Sequence, residues 1–429
     1  MKVIPASLCV RCKGGKNLCG LGYCPLLSRV RLKPTFDATL KEEFFGPSTN
    51  VFVGRYGYPR VNVGPLSVIQ MGDTDMDVID DPSKWFGMPY QKIIEMRSLM
   101  MRSEKRNEVR ARTRYVEENQ LLALAQKPVD VELHFKKKPV YKMDFSDVHQ
   151  PMGPSARLQE MKIAGNVSVS RAVEGVTNDE LKAREAMVTL YQKDESVYKI
   201  MAVLSSGALG VRDKKLVPTR WSITAVDDTL SKHLLQSVRT YAPINEYRVY
   251  ESEFLYNRLC VLLAPGSWEY EAFESWAPGS MWARFAKEYY IIEEYESHEG
   301  RSDYADEMGG CYYSTRLAVA EALAAERRQA RCIAFREVDD GYIIPVGVWQ
   351  VRENVRNAMR SAPRRFATLE EALTYIQTRM KIPMDAYKKR SRILVQKRLS
   401  DFTSKRVKPE TATWEDSVSI ARSEPRSLK

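Results

Sequence analysis

Histidine is scarce in this chain, with only His134, His149, His233 and His298 among 429 residues. They are scattered, so no catalytic triad and no histidine metal site can be named. No stretch reaches about 18 consecutive apolar residues, and MKVIPASLCVRCK at the start has no apolar core. A membrane helix and a secretory leader are therefore both unsupported, and a cytoplasmic location is the expectation. Internal repeats and a glycine-rich nucleotide loop are missing too, which leaves enzyme chemistry unmarked rather than excluded.

What the sequence does hold is basic charge, unevenly placed. The net charge is +11. Residues 1–33 carry seven basic side chains and no acid, and residues 388–408 carry nine with one acid, Asp401. The body between them is close to neutral. Basic ends beside a neutral globule suit a polyanion such as nucleic acid, where each neutralised phosphate releases counterions. Solvated termini are the plainer alternative.

Four of the seven cysteines fall within sixteen residues: Cys9, Cys12, Cys19 and Cys24 in CVRCKGGKNLCGLGYC. A C-x2-C pair places two thiolates on one metal, and the C-x4-C pair can close the tetrahedron. Arg11, Lys13 and Lys16 would offset the excess negative charge. The leading expectation is a structural zinc ion that folds a small basic module over residues 1–33, with all four ligands from protein. An iron–sulfur cluster or disulfides remain as alternatives. Cys260, Cys311 and Cys332 stand alone in apolar surroundings and read as small buried hydrophobes.

Residues 34–387 read as a mixed α+β body of one or two subdomains. Around VFVGRYGYPRVNVGPLSVI, alternating valines between glycines and prolines predict short strands. Arg55, Tyr56, Tyr58 and Arg60 interleave cations and rings there, an arrangement suited to stacking bases and holding phosphates, or to one exposed strand face. The stretch 89–126 has helical spacing and predicts one or two helices. VDVELHF, KKPVYKMDF and NVSVSRAV look strand-like.

Two acidic groups are candidates for metal-dependent chemistry. GDTDMDVIDD offers Asp73 and Asp75 with further carboxylates, and ITAVDD offers Asp227 and Asp228. The competing reading makes both structural: acid-rich turns before helices, with Asp227 or Asp228 as N-cap of TLSKHLLQSV. The Gly309–Gly310 pair before CYYSTRLAV either offers amides to a phosphate or permits close packing.

From Lys388 onward the composition becomes polar and basic, predicting a flexible tail over 388–429. Within it Gln396, Leu399 and Phe402 stand three apart, so that one tight helical turn puts Leu399 and Phe402 on one side. A last helix packed inward through Ile393, Leu394 and Leu399 is the other reading. Q-x-x-L-x-x-F resembles the PIP motif by which repair proteins dock on the PCNA sliding clamp, with Thr403 where a second aromatic usually stands.

The whole chain resembles the archaeal Nre family. The likeness is carried by the four-cysteine motif, GPSTNVFVGRYGYPRVNVGP, LVPTRWSITAVDD, GGCYYSTRLAV and the C-terminal Q-x-x-L-x-x-F. It implies a role in the DNA damage response and association with the nucleoid. The partners implied are DNA, PCNA and other repair proteins, with a zinc module that touches DNA. The alternative expectation from another class is a metal-dependent nuclease using the acidic groups of the body.

Overall fold

Valine alternation in the first half of the body produces strands whose inward residues meet. β1 (Glu43–Val53) and β2 (Arg60–Val68) pair antiparallel, and the computed structural model buries Val51, Val53, Val61 and Val63 together. It describes residues 40–69, 74–140, 153–211, 214–280, 283, 286–342 and 345–396. The cysteine module with Arg11, Lys13 and Lys16, together with Asp73, Leu399 and Phe402, lies outside the described residues.

β3 (Met100–Glu108), β4 (Val129–Phe135) and β5 (Ser155–Ile163) complete a closed barrel in the order β1-β2-β3-β5-β4. All its pairs are antiparallel except β3 with β5. Val131, Leu133, Leu158 and Met161 join the four valines inside. Burying each such side chain is worth roughly 1.5–3 kcal/mol. α1 (Tyr90–Leu99) precedes β3, and α2 (Arg114–Leu124) follows it, capped by the Thr113 hydroxyl and packed on the barrel core through Val116 and Leu122.

A helical layer comes next. α3 (Arg171–Asn178), α4 (Ala183–Gln192) and α5 (Val197–Ser205) pack with the long α6 (Thr219–Val238) around Leu190, Ile200, Val226 and Leu230. The rest is a six-stranded mixed sheet. Its strands are β6 (Tyr247–Phe254), β7 (Asn257–Ala264), β8 (Glu269–Trp276), β9 (Tyr290–Glu296), β10 (Arg331–Val338) and β11 (Arg364–Phe366), in the order β11-β6-β7-β10-β8-β9. Only β8 and β10 run parallel. Helices cover both faces, so that along β7 Val261 and Leu263 face α6, α7 (Gly310–Glu326) and α8 (Trp349–Arg360), while Cys260 and Leu262 face α9 (Leu369–Arg379). Barrel and sheet meet through Leu66, Val68 and Met100 on one side and Phe254, Trp276 and Trp349 on the other, with Trp85 between them.

The α+β class expected from the sequence is what the chain adopts. Locally there are differences. The helical stretch 89–126 is broken by β3, because MMRSEKRNE pairs with β2 and β5 and turns Met101 and Ser103 inward. NVSVSRAV is not a strand: Ser170 within it caps α3, and the strand lies earlier, at β5. The helix through ITAVDD begins at Thr219, so Asp227 and Asp228 sit in its middle and cap nothing. α10 (Met384–Lys388) and α11 (Arg392–Val395) pack on the sheet through Tyr387 and Ile393, and the Ser391 hydroxyl and Arg392 amide both bond Glu271. Residues 388–395, given to the tail by composition, therefore pack on the body.

Candidate functional site

Six residues, 54–59, join β1 to β2 in a loop tied down along its length. Gly54 N–H donates to Asn62 O (2.8 Å), Arg60 N–H to Gly57 O (2.9 Å), and Val109 N–H to Pro59 O (2.9 Å). Gly57 has φ +77°, and the Arg106 guanidinium of β3 lies over it so closely that an added Cβ would stand 2.0 Å from Nη2. The positive φ is what favours glycine there. The loop presents its side chains outward: Tyr56 is 64% exposed and Tyr58 41%, with the Arg55 guanidinium 5.1 Å from the Tyr56 ring centroid.

The start of α6 abuts this loop. Thr219 Oγ1 accepts the Val53 N–H at 2.9 Å and pairs with Ser205 Oγ at 3.1 Å. Trp221, 45% exposed, sets its ring 5.1 Å from that of Tyr58 at 52°. Arg60 and Arg106 beside the loop are exposed, as is Arg220 next to Trp221 in the chain, and Glu108 approaches Arg60 at 3.8 Å. Exposed ion pairs of this length contribute little, so the guanidiniums stay available to a partner. The sequence candidates Arg55 and Arg60 thus belong to one ridge with rings brought from two distant segments.

Asp227 and Asp228 belong to a different environment. Asp227 is buried, and Arg352 of α8 grips it with Nε to Oδ1 at 3.0 Å and Nη2 to Oδ2 at 2.5 Å. Burial pushes the Asp227 carboxyl above its ordinary value, and the Arg352 charge pulls against that. Asp228 pairs with Arg316 of α7 and, at 2.9 Å, with Lys232. Arg316 also pairs with Glu296, bonds Ser231 Oγ (3.1 Å) and lies over the Tyr312 and Tyr313 rings. Beyond it, Arg356 joins Glu321 and Glu353, and the Tyr198 and Tyr191 hydroxyls donate to Glu353 and Glu321. The network stitches α6, α7 and α8 to one another, and every carboxylate named here has a cation or hydroxyl against it.

The acids of the first candidate group are spread over a turn. Asp75 Oδ1 accepts the Asp77 N–H (2.9 Å). Asp80 accepts from Thr49 Oγ1 (3.0 Å), with burial raising its carboxyl and Arg97 opposing. Asp81 caps the short 3₁₀ turn Pro82–Lys84. Among the described residues, no three of His, Cys, Asp and Glu converge where a metal could sit. Gly310 packs tightly, since a Cβ there would lie 2.8 Å from Val348 Cγ2. Cys260 and Cys332 are buried, and burial pushes the Cys260 thiol up to about 12. No described helix is long and apolar enough to cross a membrane.

Sequence reasoning missed Arg106, Arg316 and Arg352. Arg106 lies over Gly57, 49 positions away, Arg316 pairs with Glu296 and Asp228, 20 and 88 positions away, and Arg352 with Asp227, 125 away, so no local pattern marks them.

Comparison with known proteins covers nearly the whole chain. Residues 18–283 match the family model for archaeal Nre, N-terminal, and residues 296–402 that for archaeal Nre, C-terminal. Similar curated proteins include DNA repair protein NreB of Archaeoglobus fulgidus, 40% identical over 86% of this chain and 92% of the relative. NreA of the same organism is 37% identical over 87% and 93%, and NreA of Haloferax volcanii 37% identical over 75% and 80%. Both are likewise named DNA repair proteins. No solved structure matches.

Proposed function

The chain belongs to the archaeal Nre family, and on that premise we propose that it is a DNA repair factor that contacts DNA and is recruited through the PCNA sliding clamp. The naming of its relatives as DNA repair proteins supports the first part, over most of the chain's length. The position of Gln396 is the observation that supports the second. Ile393 is buried, while Val395 is 65% exposed and Gln396 is exposed, so the first residue of the motif stands at the surface. Leu399 and Phe402 would be the apolar anchors in the clamp groove, and the basic neighbours suit a clamp encircling DNA. Cys9, Cys12, Cys19 and Cys24 would hold a structural zinc and keep a basic module folded at the other end. The exposed cations and rings of the barrel supply a third contact with nucleic acid.

Titration of the full chain against PCNA tests the recruitment. Changing Leu399 and Phe402 to Ala together is expected to cost roughly 2–4 kcal/mol of binding, as for paired interface anchors. Unchanged affinity sinks it. Elemental analysis of the purified protein is expected to find about one zinc per chain, and chelation to unfold the cysteine module while the body stays folded.

A further inference from the structure

The geometry points to the five-stranded barrel as a single-stranded DNA-binding module whose contact surface is the ridge of Tyr56, Tyr58 and Trp221 with Arg55, Arg60 and Arg106. This deepens, and rests on, the DNA repair reading above.

The order β1-β2-β3-β5-β4, with β3 and β5 parallel and a single helix, α2, between β3 and β4, is the Greek-key arrangement of barrels that bind oligonucleotides and oligosaccharides. Ligands of such barrels lie on the outer face of β2 and β3, beside the loop after β1. Topology alone does not establish use, so the surface has to argue for it. Half of that face is closed in this chain, where Leu66, Val68 and Met100 are covered by Ile79, Trp85 and Tyr90. The open half adjoins loop 54–59. There Arg60 and Asn62 of β2 stand opposite Glu108 and Arg106 of β3, and the exposed rings rise beside them.

Charge and shape together select the occupant. Guanidiniums would hold a phosphate backbone, and exposed aromatic faces are sequence-tolerant platforms for unpaired bases. A duplex keeps its bases stacked inside and would use the cations alone. The loop's backbone bonds and the Thr219 hydroxyl contact fix the rings before a ligand arrives, which reduces the ordering cost of binding.

The test is fluorescence anisotropy on the full chain. The probes are labelled oligo(dT) of about 15 nucleotides, within the span of such barrels, a duplex of equal length, and oligo(rU), all at one salt concentration. Oligo(dT) is expected to bind about tenfold more tightly than the duplex. Trp221→Ala and Tyr58→Ala are each expected to weaken oligo(dT) about tenfold, as loss of one stacked base does, with duplex binding and the thermal unfolding midpoint unchanged. Duplex binding equal to or tighter than oligo(dT), tighter binding of oligo(rU), or both variants binding oligo(dT) like the unaltered chain each overturns the inference. Duplex binding with no preference for oligo(dT) would do so while leaving the repair reading standing; no binding to any DNA would remove both.

Discussion

One helix, α6, holds two groups of functional-looking residues that face opposite fates. At its start, Arg220 and Trp221 are exposed, and Trp221 sets its ring beside Tyr58 on the barrel ridge. About 9 Å further along the axis, at 1.5 Å per residue, Asp227 is buried in the grip of Arg352 and Asp228 is paired with Arg316. Both groups are charged, both have rings nearby, and both come from LVPTRWSITAVDD. The difference lies in what surrounds them. Buried charges bind one another because water is absent, and removing one partner strands the other. Exposed charges and rings leave their interactions for a partner.

The largest expected effect therefore falls on the buried group. Asp227→Asn is expected to lose roughly 3–5 kcal/mol of stability in denaturant unfolding, the usual consequence of breaking a buried ion pair. A stable variant would break the comparison. Gly310→Ala should cost roughly 1–3 kcal/mol, because its methyl would crowd Val348 where α7 and α8 meet; thermal melts read this. Trp221→Ala, on the same helix as Asp227, should leave stability within about 0.5 kcal/mol, as for an exposed substitution, while weakening nucleic-acid binding. A large drop in stability there would make Trp221 a packing residue. The smallest effect belongs to Arg60→Ala: the slope of log affinity against log salt should fall by about 1, uniformly across sequences. An unchanged slope would remove Arg60 from the phosphate contacts.

Much of the architecture was legible in local patterns. The valine alternation predicts β1 and β2, and VDVELHF predicts β4. β3 was not legible, since MMRSEKRNE has too few apolar residues to declare a strand and becomes one by completing hydrogen bonds of β2 and β5. The start of α6 was hidden for a related reason. Its first turn, TRWS, carries no apolar stripe of its own, and its place is set by the bond between Val53 and Thr219.

The site divides in the same way. Arg55, Tyr56, Tyr58 and Arg60 could be picked out because cations and rings alternate within six residues. That Trp221 and Arg106 complete the same ridge could not, because their contacts cross 163 and about 50 positions of chain. By itself the sequence determined residue type, local periodicity and the uneven spread of charge, which depend only on neighbours along the chain. Whether an aspartate meets water or an arginine, and whether a tyrosine packs or waits for a base, was decided by tertiary structure, because burial and pairing depend on residues that only the fold brings within a few ångströms.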